Sequence, residues 1–189
     1  MTPWARIRIV ISCVAALVLG ACSVTDGAIY LAPGYAFALQ PPASGPTFAA
    51  LQEIIMETPA GREERLVAQI ENDATGLRLA AFTPLGQTLL TLQFDGASVK
   101  STSTLPGGAA FDGRFVLALM QLSLWPIERA REGLGAGMTL TEEGDTREVR
   151  GGGKILWTIV RDGDAVPYRA VTLRSEEARL GLRITTLPE

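Results

Sequence analysis

The chain has 189 residues, of which 47% are hydrophobic and 20% are charged. This composition suits one globular domain with a short additional segment. The formal net charge is −3 and the basic residues form no stripe, which argues against nucleic acid as a partner. The chain contains no histidine, so the commonest general base and the commonest metal ligand of proteins are missing.

Residues 1–21 have the organisation of a secretory signal peptide. Two arginines near the start precede an apolar run from Ile9 to Leu19, which is too short for a comfortable membrane span. The tetrapeptide Leu19-Gly20-Ala21-Cys22 resembles the lipobox of bacterial lipoproteins. The alternative is an ordinary signal peptide followed by a chance cysteine.

The lipobox resemblance implies that cleavage leaves Cys22 as the first residue and that its sulfur carries a diacylglycerol. Cys13 is then lost with the signal peptide, so the mature chain keeps one cysteine and forms no internal disulfide. In lipoproteins of enteric bacteria an Asp after the lipidated cysteine favours the inner membrane, whereas the residue here is Ser23. We therefore expect a lipid anchor in the outer membrane, facing the periplasm.

Glycine and proline recur throughout residues 22–46, which predicts a tether with limited structure. Within it, Tyr35, Phe37 and Leu39 alternate with small residues and give one possible short strand. We expect residues 47–189 to form a single domain. A meander of four or five strands is predicted between Phe48 and Thr102, because alternating apolar runs are separated there by turn residues.

The centre of this meander is a predicted β-hairpin over residues 77–94. Thr83-Pro84-Leu85-Gly86 has the proline and glycine of a bulged turn. With Thr83 opposite Gln87 and Ala80 opposite Leu90, both faces of the hairpin carry apolar side chains. Such a sheet is covered on both sides or lines an apolar cavity with its second face. The alternative is a sandwich strand with scattered surface leucines.

The sequence period changes to that of helices at about residues 112–134. Residues 115–125 are apolar almost all the way round a helix, which indicates burial against the sheet, with a membrane interface as the alternative. Pro126 starts a second helix. Five further strands follow, and in the last one Leu180, Leu182 and Ile184 alternate with polar residues or glycine, so that one face points inwards.

Candidate chemical motifs are weak throughout the chain. The acidic pairs near Glu142 and Asp162 lie in predicted turns, where solvated carboxylates are usual. Arg150-Gly-Gly-Gly-Lys154 lacks the spacing of a phosphate-binding loop. No Gly-x-Ser-x-Gly motif is present, and no nucleophile has a histidine partner. We therefore predict a protein without enzymatic activity, cofactor or metal; an esterase would need an unrecognised nucleophile.

Two motifs support a family resemblance that covers most of residues 48–187. Thr83-Pro84-Leu85-Gly86-Gln87 with the leucines after it, and Gln121-Leu122-Ser123-Leu124-Trp125-Pro126, resemble an uncharacterised family of proteobacterial outer-membrane lipoproteins, often encoded in aryl-polyene lipid gene clusters. The element order resembles more distantly the lipoprotein carrier LolA and acceptor LolB, although the acceptor's exposed leucine-bearing loop has no clear counterpart. The resemblance implies a curved antiparallel sheet, an incomplete barrel, with helices over its concave face.

The resulting hypothesis is a lipid-anchored protein that binds or transfers lipid, acyl or polyene-lipid cargo at the outer membrane. Its alternative is an accessory or scaffold lipoprotein that docks an envelope transport or assembly protein without binding lipid. Six residues are expected to line the lipid-binding cavity, on sequence pattern alone: Phe82, Leu90, Leu92, Phe94, Leu119 and Trp125.

Overall fold

The computed structural model describes residues 28–57, 61–104 and 113–188, and the predicted signal peptide and Cys22 lie outside these ranges. The described residues form twelve strands, two α-helices and a short 3₁₀ helix at Pro42–Ser44. The strands of the first half are β1 (Ile29–Ala32), β2 (Tyr35–Phe37), β3 (Phe48–Glu57), β4 (Glu63–Asp73), β5 (Gly76–Phe82), β6 (Thr88–Phe94) and β7 (Val99–Ser103). The helices are α1 (Gly113–Leu124) and α2 (Ile127–Glu132). The strands of the second half are β8 (Met138–Glu143), β9 (Thr146–Gly151), β10 (Lys154–Asp162), β11 (Ala170–Ser175) and β12 (Leu180–Thr186).

Ten strands form one antiparallel sheet in the order β7-β6-β5-β4-β3-β12-β11-β10-β9-β8. The chain runs outwards from β3 to the β7 edge, crosses over through the two helices to the β8 edge, and returns to place β12 beside β3. The edge strands β7 and β8 are not paired with each other, so the sheet is open and not a closed barrel. This confirms the predicted open antiparallel sheet with helices on one side.

The β5–β6 hairpin has the predicted turn but a different register. The Gly86 N–H donates to the Thr83 carbonyl at 2.8 Å, and Gly86 has the φ of +83° that the sequence requires there. A bulge between Ala81 and Phe82 then shifts the pairing, so that Ala81 lies opposite Leu90. The predicted pairing of Ala80 with Leu90 is therefore wrong, and the apolar residues of this hairpin lie mainly on one face.

The described part of the predicted tether, residues 28–46, packs against the domain. Strands β1 and β2 form a separate hairpin, and the Phe37 side chain is only 1% exposed. The backbone of Gln40 forms two hydrogen bonds with the side-chain amide of Gln121, at 2.8 and 2.7 Å. This segment is therefore part of the folded domain, which differs from the limited structure expected of it.

Helix α1 is buried against the inner face of the sheet. Its principal contacts are with β1, β6 and β7. A Cβ on Gly113 would lie 2.8 Å from Cδ1 of Leu92, so glycine permits the close approach of the helix start to the sheet. In the part of the chain that the structure describes, no helix is long and apolar enough to cross a membrane.

Candidate functional site

An apolar cavity of about 100 Å³ lies between α1 and the middle strands of the sheet. Seventeen of its nineteen lining residues are apolar, and none is charged. The sheet contributes Gln52, Ile54, Met56, Leu66, Ile70, Leu79, Ala81, Leu90, Val171, Leu173, Leu180, Leu182 and Ile184. The helix contributes Phe115, Val116, Leu119, Met120, Ser123 and Leu124.

The two polar side chains of the lining are engaged within the protein. The Ser123 hydroxyl donates to the Leu119 carbonyl of its own helix at 2.7 Å. The side-chain amide of Gln52 donates to the Thr186 hydroxyl at 3.2 Å. With these groups occupied and no charged residue in the wall, the cavity offers a surface for hydrocarbon and no recognition site for an ion.

The cavity is open along the middle of the sheet. Leu180, Leu182 and Ile184 of β12 are only half-buried, as is Ile54 of the neighbouring β3, although both strands are central in the sheet. Helix α1 makes its principal sheet contacts with β6 and β7, towards one edge of this sheet. Among the described residues, the inner face of β12 is therefore an apolar groove that is partly accessible to water.

The cavity reaches one end of the sheet and stops short of the other. At the first end, which we term the rim, lie the connections from β3 to β4, from β5 to β6 and from β11 to β12. Six inward apolar residues near this end line the cavity, and we term this end of the cavity its mouth: Met56, Leu66, Ala81, Leu90, Leu173 and Leu180. At the opposite end, which we term the closed end, Phe48, Leu77 and Phe94 belong to the packed core. Residues 41–46 cross that end, where the Asn72 side chain donates to the Pro46 carbonyl at 2.7 Å.

The volume of the cavity limits what it encloses in this conformation. Apolar cavities of about 150 Å³ hold a molecule the size of benzene, and this one is smaller at about 100 Å³. A long acyl chain therefore fits only if it lies along the open groove, or if α1 moves away from β12.

Two of the six residues expected to bind lipid, Leu90 and Leu119, line the cavity. Leu92 and Phe94 are buried in the core instead, because they lie farther along β6 towards the closed end. Trp125 follows α1 and packs on Gly45, with its indole N–H donating to the Ser44 hydroxyl at 3.2 Å. Phe82 lies beyond the bulge and is half-buried outside both the cavity and the core. We therefore remove these four residues from the proposed lining.

Most of the central cavity-lining residues that the sequence analysis did not propose come from β12 and β3. The inward alternation of Leu180, Leu182 and Ile184 was visible in the sequence. What the sequence does not show is that β12 pairs with β3, 124 residues earlier at the Gly181–Glu57 pair. That long-range pairing places the last strand at the centre of the groove.

A buried arginine fixes the C-terminal end of α1. Arg147 of β9 is 3% exposed, and its Nη1 donates to the backbone carbonyls of Leu122 and Trp125 at 2.8 and 2.9 Å. These carbonyls belong to the last turn of the helix, where a cation is favourable. The first turn, residues 114–116, is only half-buried. The C-terminal end of the helix is therefore tied to β9 by hydrogen bonds.

The carboxylate of Glu142 balances the positive charge of Arg147 and that of a second buried arginine. It forms ion pairs with Arg147 and with Arg161, which is 7% exposed. Burial alone would raise the pKa of the Glu142 carboxyl, but the hydrogen bond and charge of Arg147 and the charge of Arg161 outweigh burial and hold the pKa below its ordinary value. Glu142 was expected to be a solvated turn residue, and it is instead the counter-ion of two buried arginines.

Nothing in the described ranges assembles a metal centre: no three His, Cys, Asp or Glu side chains there lie close enough to hold an ion. Asp162 pairs with Arg169 at 2.5 Å on the surface. The groove thus remains the feature with the clearest capacity to bind a ligand.

A family model described as "Protein of unknown function (DUF3261)" matches residues 49–188. This match includes both helices and the ten-stranded sheet except Phe48, the first residue of β3. The chain belongs to this family. A search of curated proteins found no match.

Two solved structures are similar to this DUF3261 protein. One is a domain described as an outer membrane lipoprotein-sorting protein from Vibrio parahaemolyticus, with 8% identity and a TM-score of 0.41 over 74% of this chain and 83% of the other. The second is a LolA superfamily protein from Nitrosomonas europaea, with 8% identity and a TM-score of 0.39 over 79% of this chain and 87% of the other.

The second sequence motif, Gln121 to Pro126, has a structural role in this DUF3261 protein. Gln121 is fully buried and binds the backbone of Gln40, while Trp125 packs on Gly45. The carbonyl groups of the motif accept hydrogen bonds from Arg147. The motif therefore joins three parts of the domain, namely the N-terminal segment, α1 and β9, and only Ser123 and Leu124 of it line the cavity.

Proposed function

We propose that this DUF3261 protein is a non-enzymatic lipoprotein of the periplasm, anchored in the outer membrane through Cys22, that binds the hydrocarbon part of a lipid and assists its transfer. The observation that carries the proposal is the uncharged groove under α1, whose central leucines on β12 remain half-exposed in the middle of the sheet. A folded domain normally covers such residues, and here a ligand would cover them.

The energetics favour a ligand with a long chain. Each methylene group that leaves water contributes about 0.8 kcal/mol, whereas association costs about 4 kcal/mol or more in lost freedom of motion. A chain of roughly fifteen methylenes, contributing about 12 kcal/mol, is therefore needed for micromolar affinity, which corresponds to about 8 kcal/mol. Because the cavity wall has no charged residue, we expect the polar headgroup to stay outside the groove.

The apolar surface of the groove also indicates which class of cargo it would bind. Saturated acyl chains and conjugated polyene chains are both uncharged, long and narrow, and both match a groove that runs along β12 and β3. The resemblance to lipoproteins of aryl-polyene gene clusters supports polyene lipids among the candidates. The lipobox at Leu19 to Cys22 supports anchoring, and Ser23 supports the outer membrane.

The alternative function is that of an accessory or scaffold lipoprotein that docks an envelope transport or assembly protein without binding lipid. The cavity volume of about 100 Å³ favours this alternative, since it is too small to enclose a whole chain without movement of α1.

A charge placed in the groove separates the two functions. Leu182→Asp puts a carboxylate on the inner face of β12, and Val160→Asp puts one on an outward-facing position of β10 that is 44% exposed. The probe is cis-parinaric acid, a fluorescent polyene fatty acid. We expect binding by the parent chain and by Val160→Asp, and at least tenfold weaker binding by Leu182→Asp.

Native mass spectrometry of the parent chain, purified without detergent, provides a second readout. A co-purified lipid that Leu182→Asp lacks supports the proposal. Equal probe binding by both variants, or no binding by the folded parent chain, would leave the scaffold function. Circular dichroism confirms that each variant is folded before binding is measured.

A further inference from the structure

The N-terminal segment enters the domain at the closed end, far from the cavity mouth. Ala28 lines a surface groove of about 400 Å³ together with Phe94, Gly96 and Ala97, which surround the turn between β6 and β7. That turn is at the opposite end of β6 from the rim. The charged residues of this groove are Arg114 and Glu132, and the rest of its lining is apolar, glycine or alanine. We term this surface the exit face.

An exposed aromatic side chain stands beside the exit face. Ile29 and Leu31 of β1 are buried, whereas Ala28 and Tyr30 alternate with them and point outwards. Tyr30 is 62% exposed. A tyrosine with an apolar ring and a polar hydroxyl is favourable at the boundary between lipid and water.

The length of the chain before Ala28 limits how the domain can face its anchoring bilayer. Six peptide units separate Cys22 from Ala28, so the two residues are at most about 22 Å apart in any conformation. Strand β3 has ten residues, so the rim and the closed end lie about 30 Å apart. If the rim were pressed end-on against the bilayer, Ala28 would be farther from the lipid surface than the segment reaches.

The charged residues at the rim and at the exit face favour the same orientation as the length of the segment before Ala28. Nine charged residues lie in or beside the rim connections: Glu57, Arg62, Glu63, Glu64, Arg65, Arg174, Glu176, Glu177 and Arg179. Pressing this end against phospholipid headgroups would cost the desolvation of these side chains. The exit face has one basic and one acidic residue in its groove, so its burial against headgroups costs less.

We propose that the exit face, with Tyr30, rests on the phospholipid surface that holds the Cys22 lipid, and that the cavity mouth at the rim opens away from this bilayer towards the aqueous periplasm. This inference rests on the proposed lipidation of Cys22. It implies that the lipid cargo enters and leaves the groove on the side that faces the periplasm. The partner that delivers or receives the cargo would then contact the protein on that side, and the cargo would not pass through the anchoring bilayer.

The test uses the full lipidated chain in vesicles of phosphatidylethanolamine and phosphatidylglycerol that contain a fraction of brominated lipid, a quencher of fluorescence. Tyr30→Cys and Leu85→Cys each introduce one reactive thiol for a fluorescent label, since the thiol of Cys22 is blocked by its lipid. Leu85 is 98% exposed at the rim, which makes it the matched reporter for the other end of the domain.

We expect at least twofold quenching of the label at position 30 and none at position 85. Quenching at position 85 alone, equal quenching at both positions, or quenching at neither position would overturn the proposed orientation.

Binding of cis-parinaric acid by the same preparations is measured separately. A chain that binds the probe but has the wrong quenching pattern refutes only the orientation, and one with the expected quenching but no probe binding refutes only the lipid-binding function. Mass spectrometry of the purified chain verifies the lipid on Cys22, and an unmodified Cys22 would overturn both the anchor and the orientation.

Discussion

The guanidinium of Arg147 donates to the carbonyl of Leu122 across 2.8 Å, and so connects strand β9 to the last turn of the helix that covers the cavity. An arginine is suited to this position because its fork of donors reaches several backbone carbonyls and the Glu142 carboxylate at once. The contact fixes the C-terminal end of α1.

Replacing Arg147 is expected to destabilise the whole domain. Arg147→Met removes one partner of a buried ion pair and leaves the Leu122 and Trp125 carbonyls without their donor. Loss of one buried partner costs about 3 to 5 kcal/mol. Arg150→Met is the matched control, because Arg150 is on the same strand but pairs with Glu148 at the surface. Urea unfolding measures both free energies, and equal losses would contradict the assigned role of Arg147.

The lowered pKa of Glu142 predicts a loss of stability in acid. A carboxyl whose folded-state pKa lies below its unfolded value contributes stability above the unfolded value, near 4.5 here, and this contribution disappears as the pH falls through the folded value. The difference in unfolding free energy between the parent chain and Glu142→Gln should therefore be largest near pH 7 and shrink below about pH 4.5. A difference that does not change with pH would show that the charge of Glu142 has no such effect.

Local sequence patterns were sufficient for the strands and the turn of the central hairpin. The proline and glycine of residues 83–86 determine the turn, and alternation identifies both arms. The same patterns did not predict the register, because they do not show the bulge that leaves Leu89 unpaired between the Ala81–Leu90 and Phe82–Thr88 pairs. One such residue moves every later side chain to the other face.

The site was only partly predictable for a related reason. Leu90 and Leu119 are apolar on the correct faces of their elements, and sequence reasoning found both. It also chose Leu92 and Trp125, because apolar residues that fill the core and those that line a groove have the same pattern. Their distinction depends on where α1 ends its coverage of the sheet, which follows from long-range contacts such as that of Arg147 with the helix end.

Gly45 is expected to tolerate no side chain while Trp125 is present. Its φ of −99° suits any residue, but a Cβ would overlap the Trp125 ring. Gly45→Ala should therefore lower the unfolding free energy by about 1 to 3 kcal/mol, as other overpacked sites do. In a Trp125→Leu background the same change should cost much less, because the ring is gone. Thermal or urea unfolding of the four chains tests this, and strictly additive effects would contradict the proposed contact.

Two neighbouring alanines of β5 allow a direct test of the groove. Ala81 is 2% exposed and lines the cavity near the rim, whereas Ala80 lies on the outer face of the same strand. Ala81→Leu fills space that a hydrocarbon chain would otherwise occupy, so we expect at least tenfold weaker binding of cis-parinaric acid. Its unfolding free energy should be unchanged or up to about 1 kcal/mol higher, since filling a cavity restores packing contacts. Ala80→Leu should change neither quantity by a comparable amount. If both variants bind the probe as the parent chain does, the groove under α1 is not where the ligand binds.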